Sequence, residues 1–255
     1  MKKKVALANS IILAMTSIMP VYAGEFSTSE KNFDESIVSQ TVYDDVVTEE
    51  LLDLEQRYDM TQDMPEEIWA ELDDVAEISK EEVFLDDEYL QISYNIIAEN
   101  PIMIRTYTTG NTEEVYSVTN YTYVVPLESN TGSTTETSKK SDVTIKNTAY
   151  YSYYNNGSVR MLKLKNGTTT VTWCGERLKK VVLNAACQGF SSGGAKQESN
   201  SKTYTSARVD TAYALSTGFQ YSYATNAAKI LYGSAVTYSH GNSVYTVSAQ
   251  ISLGN

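Results

Sequence analysis

The chain has 255 residues and a formal net charge of −12, with 32 Asp and Glu against 20 Lys and Arg. The charge is unevenly distributed: residues 25–90 hold 23 acidic and 3 basic residues, whereas residues 91–255 hold 9 acidic and 14 basic residues. This split predicts two parts of different character, and the negative field of the first part argues against nucleic acid or anionic membranes as its partners.

Residues 1–23 have the pattern of a secretory signal peptide. A run of three lysines supplies the positive start, a mostly apolar stretch follows, and Val21–Ala23 has the residue types that signal peptidase accepts. Polar residues such as Asn9 and Ser10 interrupt the apolar stretch, which is too short to span a bilayer comfortably. We therefore expect cleavage after Ala23, a secreted mature chain, and no insertion of that chain into a membrane.

The region 24–126 is predicted to be acidic and partly helical. Apolar residues recur there at helical spacing, which places narrow apolar stripes on acidic helices. Pro65 suits the first position of the second helix, and acidic residues follow it where the helix dipole favours negative charge. Residues 80–97 fit either a helix or a strand. The stripes are Val47, Leu51, Leu54 and Tyr58, and then Ile68, Leu72, Val75 and Ile78 or Ser79.

Residues 127–141, rich in Ser and Thr, predict a solvated linker and a domain boundary. In residues 142–255 the apolar residues follow a period of two, which is the period of β-strands. Turn sequences separate these segments at Asn155–Gly157 and at Asn166-Gly167, and the second is a strong hairpin signal. About eight short strands joined by such turns predict an antiparallel β-sandwich or open barrel.

The two cysteines, Cys174 and Cys187, both lie in the β-patterned part. In an exported chain such a pair predicts a disulfide, whose short loop would contribute roughly 3 kcal/mol of stability. Two buried free thiols are the alternative. Metal ligation is less favoured, because the single histidine, His240, is distant in sequence and no zinc-type Cys spacing occurs. The carboxylates of residues 44–88 also lack the spacing of a calcium loop, so we expect no metal and no cofactor.

Tyrosine is concentrated in the second part, where 17 of the 20 tyrosines lie from Tyr89 onward. Cross-strand packing with the hydroxyl in water is the structural interpretation, and an exposed stripe that binds sugar rings or a partner is the functional one. The strand that contains Tyr150, Tyr151, Tyr153 and Tyr154 is the sharpest case. Alternation places Tyr151 and Tyr153 on one face and the other two on the opposite face. We predict this strand as the recognition surface.

Segments of the β-patterned part carry a resemblance to a known group of proteins. They are Tyr151–Asn155, Leu162–Leu164 with the following Asn166-Gly167, and Tyr238–Val247. From Thr144 onward the chain resembles exported proteins of Gram-positive Firmicutes, which combine a signal peptide, a variable acidic stretch and a Tyr/Ser/Thr-rich β-domain. The resemblance lies in composition and pattern. It implies secretion and a β-domain, and it carries over no functional residue.

One sequence pattern suggests catalysis. The segment from Gly189 to Gly193 matches the Gly-x-Ser-x-Gly nucleophile elbow around Ser191, and Asp210 and His240 follow in the chain order of that hydrolase class. The elbow requires a strand-to-helix turn over a parallel sheet, and the sequence indicates neither. Such a match arises by composition in a Gly/Ser-rich connection, and His240 fits a hairpin turn. The sequence therefore predicts a protein that is not an enzyme.

Together these features predict a secreted, non-catalytic interaction protein whose β-domain binds a glycan, a peptide or a surface protein. The alternative is an antagonistic, bacteriocin-like or toxin-like protein, in which the acidic region is a propeptide that masks a mildly basic effector domain. A serine hydrolase is the second alternative. A full-length band in the culture supernatant would favour the first interpretation, and a processed C-terminal fragment would favour the antagonistic one.

Overall fold

A computed structural model describes residues 36–43, 76–85, 89–98, 102–126, 142–156 and 159–254. Nearly all of these residues are in β-strands, which confirms the prediction of a mainly β protein. One short 3-10 helix, Thr225–Ala227, also occurs. The strands, in chain order, are β1 (Ile37–Val42), β2 (Ala76–Leu85), β3 (Tyr89–Ala98), β4 (Met103–Tyr107), β5 (Thr112–Pro126), β6 (Val143–Asn156), β7 (Val159–Cys174), β8 (Arg177–Ser191), β9 (Gly194–Thr205), β10 (Ala212–Ser216), β11 (Tyr223–Ala224), β12 (Lys229–His240) and β13 (Ser243–Gly254).

The described strands form two antiparallel sheets. The first sheet has the order β1-β4-β5-β6-β7-β10, and it curls into a half-barrel. Two long strands of this sheet each pair, along one edge, with two shorter strands in succession. Strands β3 and β4 pair with consecutive parts of β5, and β11 and β10 pair with consecutive parts of β7. Strand β2 then pairs with β3, and β1 pairs with β4. The second sheet has the order β13-β12-β8-β9.

The core lies between the inner faces of the two sheets, which are the faces that they turn toward each other. Residues alternate between buried and more accessible positions along β7, β8 and β13, as the period of two requires. Burial of each large apolar side chain contributes about 1.5–3 kcal/mol. The core includes Val118, Val124, Ile145, Tyr151, Leu164 and Val171 of the first sheet, and Val181, Leu183, Ile230, Tyr232, Val236 and Ile251 of the second.

A line of polar side chains crosses the inner face of the first sheet. Asn95, Asn120, Asn147 and Thr169 stand opposite one another on β3, β5, β6 and β7. Asn120 Nδ2 donates to Asn95 Oδ1 at 2.8 Å, and the Thr169 hydroxyl donates to Asn147 Oδ1 at 2.7 Å. Ser234 of β12 donates to the same oxygen at 2.9 Å, so the line connects the two sheets.

The turn predicted at Asn166-Gly167 is wrong, because β7 continues through both residues. The pairing of β6 with β7 shifts between Tyr150 and Tyr151, which leaves Lys165 as the extra residue of a β-bulge. A Cβ atom on Gly167 would overlap the ring of Tyr232, so the glycine leaves room for this ring from the second sheet. At the other predicted turn, Asn155–Gly157, β6 does end and β7 begins soon after.

The acidic helical region is not supported by the described part of residues 24–126, which forms strands. Ile78 and Ser79, expected at the end of the second helix, lie in β2, and residues 80–97, for which helix and strand stayed open, are mostly strand. Strand β2 pairs with β3 along its whole length, and such pairing outweighs local helical spacing. The remaining stripe residues, from Val47 to Val75, lie outside the described residues.

The segment 127–141, predicted as a domain boundary, joins two neighbouring strands of one sheet. Strand β5 pairs with β6 from Thr112–Asn155 to Val124–Val143. Side chains of β5, such as Val118 and Val124, belong to the same core as those of β6 and β7. The region before the linker therefore supplies strands to the β fold that follows it.

We expect a fragment of residues 142–255 to lack a cooperative thermal transition, because β6 would lose β5 as its partner and expose its edge to solvent. The chain from residue 24 should show one transition with a strand-type circular dichroism spectrum. Circular dichroism melts of the two proteins test this expectation. A cooperative transition in the fragment would show that β6–β13 fold as an autonomous unit.

We expect Gly167→Ala to lower the free energy of unfolding by about 2 kcal/mol, because the added methyl group must displace the buried ring of Tyr232. Gly175→Ala is the matched control: the nearest atom to its added methyl group is 3.7 Å away, so the change should stay within about 0.5 kcal/mol. Urea unfolding measures both. Equal effects of the two substitutions would contradict the role of Gly167.

Candidate functional site

The four tyrosines predicted as a recognition surface lie on β6, and the strand divides them between its two faces. Tyr151 and Tyr153 are on the inner face, whereas Tyr150 and Tyr154 are on the outer face. Tyr151 and Tyr154 are buried, and Tyr150 and Tyr153 are partly exposed. Each predicted pair thus contains one buried ring and one ring that solvent reaches.

The inner pair belongs to a cluster at the end of the core near the β6–β7 turn, which we call the tyrosine rim and define as Tyr116, Tyr151, Tyr153, Arg160 and Glu114. The rings of Tyr116 and Tyr151 are stacked with centroids 5.7 Å apart, and Tyr153 meets both edge-on at 5.4 and 5.5 Å. The guanidinium of Arg160 lies 3.6 Å from the centroid of Tyr153, which is a close cation–π contact.

Glu114 is the acidic residue of the tyrosine rim, and its carboxylate binds three polar side chains. Its carboxylate accepts a hydrogen bond from the Tyr116 hydroxyl at 2.9 Å and pairs with Arg160 at 3.3 Å. Asn155 donates to its other oxygen at 3.2 Å. Burial raises the pKa of Tyr116 to about 12, and the bond to Glu114 acts in the same direction. Tyr116 therefore remains a neutral donor at physiological pH.

On the outer face of the same strands, Glu113 is a buried carboxylate with only 1% of its side chain exposed. One oxygen accepts hydrogen bonds from Ser152 at 2.9 Å and Tyr154 at 2.8 Å. Lys165 lies 2.6 Å from that oxygen. The other oxygen accepts a bond from Tyr107 at 2.6 Å and pairs with Arg105 at 3.2 Å. We call these residues the Glu113 network.

The Glu113 network keeps its carboxylate ionised. Burial alone would raise the pKa of Glu113, but the Lys165 ammonium and the hydroxyls of Tyr107 and Tyr154 lower it to about 2. Burial and the bond to this carboxylate raise the pKa of Tyr107 to about 12 and that of Tyr154 still further. The partners of Glu113, which lies on β5, come from three other strands: Tyr107 from β4, Ser152 from β6 and Lys165 from β7. The network therefore joins four strands of the first sheet.

The residues of the suggested hydrolase triad do not assemble. Ser191 is the last residue of β8, and it begins a tight hairpin to β9 instead of an elbow before a helix. His240 lies beside the opposite end of β8, roughly 45 Å away at 3.3 Å per residue. The carboxylate near His240 is that of Asp142, whose Oδ2 lies 3.0 Å from His240 Nδ1, and not that of Asp210.

Asp142 and His240 meet beside Tyr89, a residue of the core. Burial raises the pKa of Asp142, and the charge of His240 opposes this effect. The ring of Tyr89 packs edge-on against both His240 and Tyr245, with centroids 6.0 and 5.1 Å away. Because Asp142 directly precedes β6 and His240 ends β12, this contact joins the two sheets.

The structure does not support the predicted disulfide, because both cysteines are free thiols. Cys187 of β8 lies in the core next to the backbone of Leu164, a residue of β7. Cys174 is the last residue of β7, ten residues after Leu164, so the two cysteines are roughly 30 Å apart. A disulfide requires Cα atoms within about 7 Å of each other. Burial raises the pKa of both thiols, that of Cys187 to about 12.

Within the described residues, no group of three or more His, Cys, Asp or Glu side chains could hold a metal ion. The part of the chain that the structure describes also contains no helix of the length and apolarity needed to cross a membrane. Comparison of the chain with protein-family models, with curated proteins and with solved structures finds no match.

The four tyrosines of β6 were predicted from the sequence, but their polar partners were not. Glu113 and Glu114 are adjacent acidic residues in a strand, and the period of two alone would have placed them on opposite faces. Their partners depend on the pairing of strands that are far apart in sequence, and single-sequence patterns do not specify that pairing. Arg105, Lys165 and Arg160 therefore carried no individual signal.

We expect Glu113→Gln to lower the free energy of unfolding at pH 7 by about 3 kcal/mol, because the partners of Glu113 would then lack the negative charge that they surround. The folded-state pKa of about 2 lies below the unfolded value of 4.5, so the ionised carboxylate stabilises the fold above that unfolded value. This stabilisation is lost as the pH falls toward 2. Urea unfolding of both proteins from neutral pH downward should show their difference shrinking.

Glu82→Gln is the control for this prediction. Glu82 forms an exposed ion pair with Lys80 at 2.9 Å, so its substitution should cost no more than about 1 kcal/mol. A Glu113→Gln effect that is as small as that of Glu82→Gln, or that does not change with pH, would contradict the role of the Glu113 network.

Proposed function

We propose that the chain is an exported, non-catalytic interaction protein that binds a glycan, a peptide or a surface protein through the tyrosine rim. The observation that carries this proposal is the contact of Arg160 with Tyr153 beside Tyr116, Tyr151 and Glu114. It places the partly exposed ring of Tyr153, backed by the buried rings of Tyr116 and Tyr151, beside both signs of charge in a small area. Sugar rings and peptide side chains are recognised by such combinations.

The tyrosine rim has a rigid support, which binding sites require because ordering side chains on association costs affinity. Glu114 and Tyr153 face each other on neighbouring strands, and so do Glu113 and Tyr154 one residue along. The Glu113 network therefore holds, from the outer face, the same strands that present the tyrosine rim on the inner face. We also interpret the two packed sheets as a β-sandwich whose first sheet curls toward an open barrel.

The export part of this proposal rests on the sequence. The signal-peptide pattern of residues 1–23 and the resemblance to exported Firmicutes proteins both support a secreted chain. Catalysis has weaker support, because Ser191 and His240 lie at opposite ends of β8. A Ser-His pair must come within hydrogen-bond reach for the serine to act as a nucleophile.

An antagonistic protein with a removable acidic propeptide is less favoured. Removal of residues 24–126 would take away β1 to β5, and β6 pairs with β5 along most of its length. The remaining fold would expose the edge of β6 and part of the core. This pairing supports a mature protein that retains the acidic region.

A binding screen of the secreted protein against glycans, cell-wall polysaccharide and surface proteins tests the proposal. We expect Tyr153→Ala and Arg160→Ala to weaken binding of the identified ligand by at least about tenfold, which corresponds to about 1.4 kcal/mol. The control is Lys196→Ala, since Lys196 lies over Tyr221 in a similar cation–π contact outside the tyrosine rim. Thermal melts confirm that each variant is folded.

Two outcomes would contradict the proposal. Unchanged ligand binding by folded Tyr153→Ala and Arg160→Ala variants would show that the tyrosine rim is not the binding surface. Hydrolysis of a tested glycan, ester or peptide by the purified protein would show that the chain is an enzyme.

A further inference from the structure

Strand β1 differs from the other strands because every one of its residues is exposed. It pairs with β4 alone among the described strands. Its apolar side chains project into solvent: Val38 is 65% exposed, Val42 is 63% exposed and Ile37 is 49% exposed. Exposed apolar side chains on a half-paired strand are unfavourable in water unless another surface covers them.

The second edge of β1 offers backbone hydrogen-bonding groups. The N–H of Tyr43 donates to the carbonyl of Ile102 at 2.7 Å, toward β4. Neighbouring residues of a strand direct their N–H and C=O groups to opposite edges, so those of Val42 and Gln40 point away from β4. No strand in the described part of the chain pairs with that edge.

Two other edge strands are protected by charge. Strand β2 carries Glu77, Lys80, Glu81 and Glu82, and β9 carries charged residues such as Lys196. Charged side chains on an edge strand oppose the addition of another strand, because pairing would desolvate them. Strand β1 has the sequence Ile-Val-Ser-Gln-Thr-Val and no charged residue.

Side chains occupy edge carbonyls on two further strands. Gln91 donates to the carbonyl of Ser248 on β13 at 3.1 Å. Tyr204 donates to the carbonyl of Ala214 on β10 at 2.7 Å, and Asn200 donates to that of Ser216 at 3.1 Å. No comparable side-chain bond to the free edge of β1 occurs within the described residues.

The sequence around β1 indicates the charge of a matching partner. Residues 36–43 are uncharged, but Asp34 and Glu35 precede them and Asp44 and Asp45 follow them. Pairing of two copies of β1 would bring together two chains that each carry these four negative charges in the sequence beside the strand, and like charges repel one another. An added strand with basic ends would instead be attracted.

We propose that the free edge of β1 binds an extended segment of another protein, with alternating apolar side chains and Lys or Arg at its ends, by strand addition to the first sheet. Backbone hydrogen bonds would supply affinity, and the charged ends would supply orientation and selectivity. This surface is separate from the tyrosine rim, so it goes beyond the function proposed above.

Binding of a designed peptide tests this inference. The probe alternates Thr and Val and has a Lys pair at each end; its counterpart has Glu pairs instead. We expect the full chain to bind the Lys-ended peptide at low salt about tenfold more tightly than the Glu-ended peptide, and this preference should shrink at high salt. A probe with N-methyl groups along one edge should not bind.

Substitution of Val42 locates the site. Val42→Pro removes an N–H group that points away from β4, so it should abolish peptide binding while the protein keeps its thermal transition. Val42→Thr keeps the N–H group and is the matched control, with binding expected within about twofold of the unsubstituted protein. The Tyr153→Ala variant should bind the peptide normally, which separates this test from that of the tyrosine rim.

Several outcomes would overturn the inference. Unchanged peptide binding by Val42→Pro would place the site elsewhere. Slow amide exchange at Val42 in dilute protein without peptide would show that the chain itself covers this edge. Concentration-dependent dimerisation that Val42→Pro abolishes would identify a second copy as the occupant instead of a basic partner strand.

Discussion

The buried carboxylate of Glu113 constrains how four strands meet. A carboxylate with 1% exposure costs several kcal/mol unless charges and hydrogen-bond donors surround it, so β4, β6 and β7 must each bring a partner to β5. One of these partners, Lys165, is the extra residue of the β7 bulge, 2.6 Å from the carboxylate. Because of this extra residue, Gly167 lies on the inner face of the sheet, where it leaves room for Tyr232 of the second sheet. The ionic network and the apolar packing between sheets therefore depend on one irregularity in one strand.

The two faces of β5 and β6 divide a structural role and the proposed recognition role between adjacent residues. Glu113 is enclosed by cations and hydroxyls, whereas Glu114, one residue later, lies at the end of the core with Arg160 and partly exposed Tyr153. Because a strand alternates its side chains, a rigid outer face fixes the geometry of the inner face without extra contacts. This arrangement explains why the proposed binding surface can contain long side chains such as Arg160 and still be preorganised.

Polar groups within the core also set the strand register. Asn120 and Asn147 are fully buried and stand opposite each other, next to Thr169 and the Ser234 hydroxyl of the other sheet. A shift of one residue would move these side chains to the outer face and separate them from their partners, at about 1–3 kcal/mol for each unsatisfied group. Such a cost discriminates against alternative pairings, in addition to the cost of moving the apolar core residues to the outer face.

The sequence by itself determined the features that depend on local period and composition: the mainly β fold, the division of the four β6 tyrosines between two faces, and the turn near Asn155. It misled where local signals compete with pairing, as at Asn166-Gly167, where a hairpin sequence serves as a bulge, and in β2, where helical spacing belongs to a strand. Only the tertiary structure decided that Cys174 and Cys187 lie too far apart to bond, that Asp142 and not Asp210 approaches His240, and that Glu113 collects its partners. The physical reason is that strand pairing joins residues distant in sequence. The free energy of each such contact depends on register and burial, which belong to the assembled sheets and not to any single segment.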